Sequence, residues 1–155
     1  MVFEKVKDKI AEVVKSREKR SVAVFVDGPN ILRKELNVDL AEIKKMLAKH
    51  GKIKIGRVFL NQYASNKLVE AVVNQGFESI ITVGDIDVSM ASDAVEAIYN
   101  PTINVIAFVT RDSDFLPAII KAKRNGKETV VILVEEAAAA ALKNNADHVI
   151  ILERG

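Results

Sequence analysis

Cysteine is absent from the 155 residues, which excludes disulfides and thiolate-held metals. Histidine is almost absent: His50 and His148 are too few for a histidine-rich zinc site, so any metal is expected on oxygen ligands. Glutamine occurs only at Gln62 and Gln75 beside abundant Lys and Glu, a mix associated with proteins from hot environments. No apolar run approaches the roughly 20 residues that cross a bilayer. The N-terminal stretch alternates charge instead of forming a signal-peptide core, so an intracellular, cytoplasmic protein without a membrane partner is expected. A net charge of +2 is too small to mark a nucleic-acid binder, and any such surface must come from local clustering.

What is present is a globular balance. Hydrophobic residues at 49% and charged residues at 28% argue against disorder. The length suits one compact unit, and residues 1–155 are expected to form a single domain without linker or repeat.

Periodicity divides this domain into alternating elements. Phe3, Val6, Ile10, Val13 and Val14 recur at helical spacing and predict an amphipathic helix over 3–19, packed against the domain. Ser21 to Val26 is a continuous apolar run, the pattern of a strand covered on both faces, and it stops at Asp27-Gly28-Pro29-Asn30. Asp39 as N-cap, Glu42 as its capping-box partner and Gly51 as a stop bound a helix. Further strands are expected over 52–63, 77–83, 103–109, 129–134 and 149–152. The helices between them are expected over 65–75, 89–99 and 113–125 and from 137 through 143. This alternation predicts an α/β fold: a three-layer α/β/α sandwich around a mostly parallel sheet.

In such a sheet every strand ends on one edge, and ligands bind there, where strand order reverses. The residues following the strands are Asp27 and Asn30, Asn61, Asp85 and Asp87, Asp112 and Asp114, and Glu135 and Glu136. One Asp after a strand is an ordinary helix cap. Several together would repel one another unless a cation compensates, and Mg²⁺ or Mn²⁺ suits oxygen donors. Asp93 lies beyond the first turn of its helix, where capping no longer explains it, and Glu96 follows one turn later. A metal activating water at such a cluster makes phosphodiester hydrolysis the leading reaction class. Neither histidine is placed as a nucleophile or base; His50 is expected at the carbonyl end of its helix.

Three blocks carry a family resemblance: VAVFVDGPNI (22–31), GDIDVSMASDAVE (84–96) and VTRDSDFLPAI (109–119). Their order and spacing resemble the NYN, or LabA-like, branch of the PIN-like nuclease superfamily. The resemblance implies a metal-dependent ribonuclease using Mg²⁺ or Mn²⁺, with RNA, expected single-stranded, as its partner. It implies that Asp27, Asp93, Asp112 and Asp114 are catalytic and metal-binding carboxylates, with Asp87 a further metal ligand and Asn30 a supporting one. The sequence departs from the family at Arg111, where Gly is usual, and at Asp85, where relatives carry basic or small residues. Arg111 either approaches a substrate phosphate or pairs with a neighbouring carboxylate and dampens metal binding.

Basic residues suggest the substrate path. Arg33 and Lys34 follow Asn30, and Lys121, Lys123, Arg124 and Lys127 crowd the helix after Asp114, so Arg33, Arg111, Lys121 and Arg124 are the candidate substrate contacts. Tyr63 and Tyr99 are candidate stacking residues, Tyr99 with core packing as the favoured fate. The competing reading is a catalytically inactive NYN-type regulator that binds RNA or protein; assembly as a homodimer is an open alternative to a monomer. A receiver-like phosphoacceptor would need a Lys where Val134-Glu135-Glu136 stands, and a Toprim-like site would need a Glu where Asp27 stands.

Overall fold

A computed structural model describes residues 2–32, 39–110, 115–134 and 139–152, without the side chains of 14–18, 30 and 139. The elements run α1 (Val2–Glu18), β1 (Ser21–Asp27), α2 (Gly28–Ile31), α3 (Leu40–Leu47), β2 (Lys52–Asn61), α4 (Asn66–Asn74) and β3 (Glu78–Thr82). They continue with α5 (Ile86–Ile98), β4 (Val105–Thr110), α6 (Leu116–Arg124), β5 (Glu128–Leu133), α7 (Ala139–Asn145) and β6 (His148–Ile151). The six strands form one sheet in the order β3-β2-β1-β4-β5-β6, and every pairing is parallel. Parallel strands need crossovers, and the helices supply them, covering both faces.

The strands are apolar on both faces because both are covered. Val22, Val24, Val26, Val58 and Leu60 pack with Ile31, Leu40, Ile43, Leu47 and Val72 on the α2–α4 side. Ala23, Phe25, Phe59 and Phe108 pack with Met90, Ala94, Phe115, Ile119 and Leu142 on the α5–α7 side. Three of those rings form a chain: Phe25 to Phe108 at 5.9 Å, and Phe108 stacked on Phe115 at 5.2 Å.

Caps fall where short polar side chains precede apolar runs. Asp39 Oδ1 accepts from Ala41 N at 2.9 Å, and Ser65 Oγ accepts from Leu68 N at 3.1 Å. The helix expected to begin near Ser89 starts three residues earlier, because Asp85 accepts from Asp87 N at 2.9 Å and caps it. The larger departure is α1. The helix forms, but Val2, Phe3, Val6, Ile10 and Val13 are all exposed, Phe3 at 87%. Amphipathic spacing therefore predicted the helix correctly and its packing wrongly, since periodicity fixes which face is apolar and not what covers it.

Candidate functional site

Strand order reverses between β1 and β4, where the sheet turns from β3-β2-β1 to β4-β5-β6. Open parallel sheets bind ligands outside the carboxyl ends of such a pair. Asp27 closes β1 and Thr110 closes β4, and both are buried, at 1% and 0% exposure. Val26 pairs with Val109, so one further step along the register brings Asp27 alongside Thr110. Side chains alternate along a strand, so Asp27 follows Phe25, and Thr110 follows Phe108, onto the α5–α7 face. By the same alternation Asn61 follows Phe59 and Thr82 follows Ile80 onto that face; because Asp27 pairs with Phe59, Asn61 and Thr82 stand two residues further along the strands than Asp27 and Thr110. Sequence reasoning overlooked Thr110, because threonine is a common strand former and nothing local distinguishes it.

The DGPN segment fits this corner closely. A Cβ at Gly28 would lie 2.5 Å from the Phe59 carbonyl oxygen and 2.6 Å from Leu60 Cδ2. Only glycine lets the chain turn against β2 there, and Pro29 then opens α2. The backbone of Asn30 belongs to this turn, while its side chain lies outside the described part of the chain.

The remaining predicted residues separate. Asp87 occupies the first turn of α5, at the carboxyl edge. Asp93 is six residues on, about 9 Å along the axis and about 120° around it, so the two carboxylates leave α5 in different directions. Asp93 Oδ2 lies 3.3 Å from Arg57 Nη1, and the same guanidinium contacts Glu78 through Nε at 3.0 Å. Glu96 is exposed. Arg33, Lys34, Arg111, Asp112, Asp114, Glu135 and Glu136 lie outside the described residues. Asn61 Oδ1 accepts from Tyr63 N at 3.0 Å, which fixes the turn carrying the exposed Tyr63.

The basic helix has its cations elsewhere. Because α6 runs back across the sheet, Lys121 and Arg124 lie toward its amino edge. Lys127 Nζ donates to the carbonyls of Asn100 and Ile103 at 2.9 and 2.5 Å, a structural role. Tyr99 is 60% exposed rather than packed in the core, with Lys121 Nζ 5.6 Å from its ring centre. A residue at a helix end is released from the buried stripe, and a cation over its face compensates for the exposure.

A second polar cluster occupies that amino edge. His50, in the turn before β2, is buried at 8% exposure, and its ring lies 4.7 Å from that of His148, which opens β6. Glu128 opens β5; its Oε1 lies 2.6 Å from His148 Nε2 and its Oε2 2.6 Å from Arg20 Nη1. Burial pushes the Glu128 carboxyl up, but the His148 hydrogen bond and the Arg20 guanidinium outweigh it and hold it below the usual 4.5. Nearby, Asp147 Oδ2 accepts from Thr129 N at 2.8 Å and joins the starts of β5 and β6. The expectation that composition leaves no histidine-based metal site thus meets a cluster, His50, Glu128 and His148, whose donor atoms all lie within 4.8 Å of one another.

Comparison with known proteins agrees with the fold and the motif blocks. The NYN domain model matches residues 21–153, and the chain belongs to that family of the PIN-like superfamily. It is 55% identical over 149 residues to the uncharacterized protein MJ0482 of Methanocaldococcus jannaschii, covering 96% of this chain and 62% of that protein. The chain therefore spans about three-fifths of that relative's length. A protein of unknown function from Vibrio parahaemolyticus, VPA0982, shares the fold at a TM-score of 0.76 with 20% identity, over 88% of this chain and 94% of that one. The NYN family is one of nuclease-like proteins, and nucleic-acid binding is the family's general theme. Among the described residues no helix is long and apolar enough to cross a membrane.

Proposed function

We propose that this chain is a metal-dependent endoribonuclease, a single NYN domain working in the cytoplasm on single-stranded RNA, whose phosphodiester bonds it hydrolyses at the carboxyl edge. The observation carrying the reading is Asp27: a carboxylate withdrawn from solvent at the strand-order switch, beside Thr110, on a chain that reaches Asp112 two residues later. Aspartates and an asparagine are hard oxygen donors, so the donor set fits Mg²⁺ or Mn²⁺. In this reading Asp27, Asp112, Asp114 and Asp87 hold the cation, with Asn30 in support. A divalent ion bound there would lower the pKa of a water and offset charge building up at phosphorus.

The chain's own residues position the reaction. Asp27 is held rigidly by the turn that Gly28 permits, and a carboxylate facing phosphorus orients water and accepts its proton. Thr110, alongside Asp27 on the same face, would place a hydroxyl where outer groups orient metal ligands. Asp93 acts through Arg57 in this arrangement, its charge drawn toward β2. Arg33 and Arg111, close in sequence to the carboxyl edge, are the phosphate contacts, since Lys121 and Arg124 lie toward the other edge.

The Asp93–Arg57 pair also favours a second reading, an NYN domain that binds RNA or protein without turnover, because it engages one of the expected ligands. Cleavage of end-labelled single-stranded RNA in Mn²⁺ decides between them. Cleavage by the wild type that is lost in Asp27→Asn supports the enzyme. RNA bound but left intact by the wild type rejects it, and equal cleavage of matched DNA removes the RNA preference.

A further inference from the structure

We propose that His50, Glu128 and His148 form a binding site for a borderline transition-metal cation of the Zn²⁺ type at the amino edge of the sheet. The carboxyl-edge cluster offers only oxygen, whereas this one offers two imidazoles and one carboxylate, a donor set that suits zinc and disfavours Mg²⁺ or Mn²⁺.

The geometry is near what a tetrahedral ion requires. Zinc at about 2.0–2.1 Å from each ligand spaces neighbouring ligands about 3.3 Å apart. Here the donor atoms span up to 4.8 Å, with the Glu128–His148 pair at 2.6 Å, so the closest pair opens slightly and the widest closes. His148, whose side chain is 43% exposed, has room to make that adjustment. His50 supplies the fixed end, being buried and followed by a tightly held backbone. Lys52 N donates to the Arg20 carbonyl at 2.8 Å, and a Cβ at Gly51 would lie 2.6 Å from that oxygen.

Arg20 acts as the outer partner. By holding Oε2 of Glu128 at 2.6 Å it leaves Oε1 turned to the imidazole, in the way that outer hydrogen bonds orient metal-ligating carboxylates. Its positive charge also limits affinity, so binding weaker than at an all-anionic site is expected. A cavity of about 230 Å³ lined by Arg20, Lys49, His50, Glu128 and His148 gives an ion access and leaves a fourth position for water. Bound there, a cation would cross-link the turn before β2 to the starts of β5 and β6 and thereby favour the folded chain.

The test uses the full chain carrying Asp27→Asn, which weakens the carboxyl-edge site. Co²⁺ reports the ligand geometry by its visible absorption, and calorimetric titration with Zn²⁺ gives the stoichiometry. The expected result is one equivalent of either ion, a four-coordinate Co²⁺ spectrum, and a Zn²⁺-dependent rise in the unfolding midpoint. His148→Asn should lower Zn²⁺ affinity by more than the roughly 10- to 100-fold typical of losing an outer-shell partner. If His50→Asn fails to fold, Glu128→Gln tests a second ligand. Substoichiometric uptake, an octahedral Co²⁺ spectrum, or affinity unchanged in His148→Asn overturns the proposal. Because the carboxyl-edge carboxylate is already replaced, none of these outcomes bears on RNA cleavage.

Discussion

The two edges of the sheet hold their polar residues by different means. At the carboxyl edge, Asp27, Thr110, Asn61 and Thr82 each end a strand, and the sheet's strand order and register decide which stand side by side: Asp27 with Thr110, and Asn61 with Thr82 two residues further along. At the amino edge, Arg20, His50, Glu128 and His148 come from turns and strand starts, and Glu128 is joined to Arg20 and His148 by direct side-chain contacts at 2.6 Å. The first edge is a set of strand ends; the second is a knot. On the proposed function, the acids at the strand ends would be balanced by a bound cation or by contacts to substrate. The knot of acid, imidazole and guanidinium is already joined by direct side-chain contacts before any cation binds. If the proposed function holds, the first arrangement trades stability for chemistry, while the side-chain contacts of the second contribute stability.

The largest expected effect comes from removing charge from the strand ends. Asp27→Asn should reduce Mn²⁺-dependent RNA cleavage by about 10²–10³-fold, the scale of losing one preorganised charge-stabilising group. Its unfolding midpoint without metal should change far less than its activity, since the amide keeps the carboxylate's shape. Parallel cleavage rates and thermal scans check both halves. An Asp27→Asn variant that is equally active would make Asp27 a structural residue and erase the contrast between the edges.

This contrast also divides what the sequence revealed from what it did not. Apolar runs interrupted by helical periods identify strands covered on both faces, and each acid following a run is visible in one dimension, so Asp27 and the DGPN turn were readable. Strand order was not: nothing in the apolar runs says that β1 neighbours β4, and so Thr110 went unnoticed. The amino-edge cluster was hidden for the same reason. His50 and His148 lie in opposite halves of the chain without a shared motif, and only the fold brings their rings to 4.7 Å. Asp93 was visible as an acid beyond its helix cap, but its partner Arg57 sits on a different element. Composition counted two histidines and discounted them; position made them neighbours.

Both edges depend on a glycine pressed against a neighbouring backbone, which permits a matched test. Gly28→Ala would set a methyl 2.5 Å from the Phe59 carbonyl, and Gly51→Ala one at 2.6 Å from that of Arg20. Each should cost about 1–3 kcal/mol by overpacking, measured by denaturant unfolding. Gly28→Ala should additionally impair cleavage, since it displaces the turn that follows Asp27, whereas Gly51→Ala should instead disturb the His50–His148 contact. If both variants affect activity alike, the edges are mechanically coupled and do not act as separate sites.

A smaller effect is expected from acid at the amino edge. Glu128 titrates below its usual 4.5 in the folded protein, so it binds fewer protons folded than unfolded. Its contribution to stability is complete above the unfolded value and disappears as pH falls through the folded one. The wild type should therefore lose more stability than Glu128→Gln on acidification from neutral to below 4.5, by on the order of 1 kcal/mol or less for a partly exposed pair. Denaturation midpoints across that range measure it. Parallel acid profiles in the two proteins would show that the 2.6 Å contacts with Arg20 and His148 contribute nothing to stability.

The smallest effect should come from α1, whose described apolar side chains are all exposed. Phe3 and Ile10 would be costly to replace if the helix packed as its periodicity suggests, because truncating a buried Phe to Ala costs about 3–5 kcal/mol. At 87% and 60% exposure they have little burial to lose, so Phe3→Ser and Ile10→Ser should each change unfolding free energy by no more than about 0.5 kcal/mol. Urea unfolding of dilute protein checks this, with Phe115→Ala as the buried control, its ring 2% exposed and stacked on Phe108. A loss at Phe3 approaching that of Phe115 would mean that α1 is covered in solution, and its apolar face would then belong to the protein's folding core.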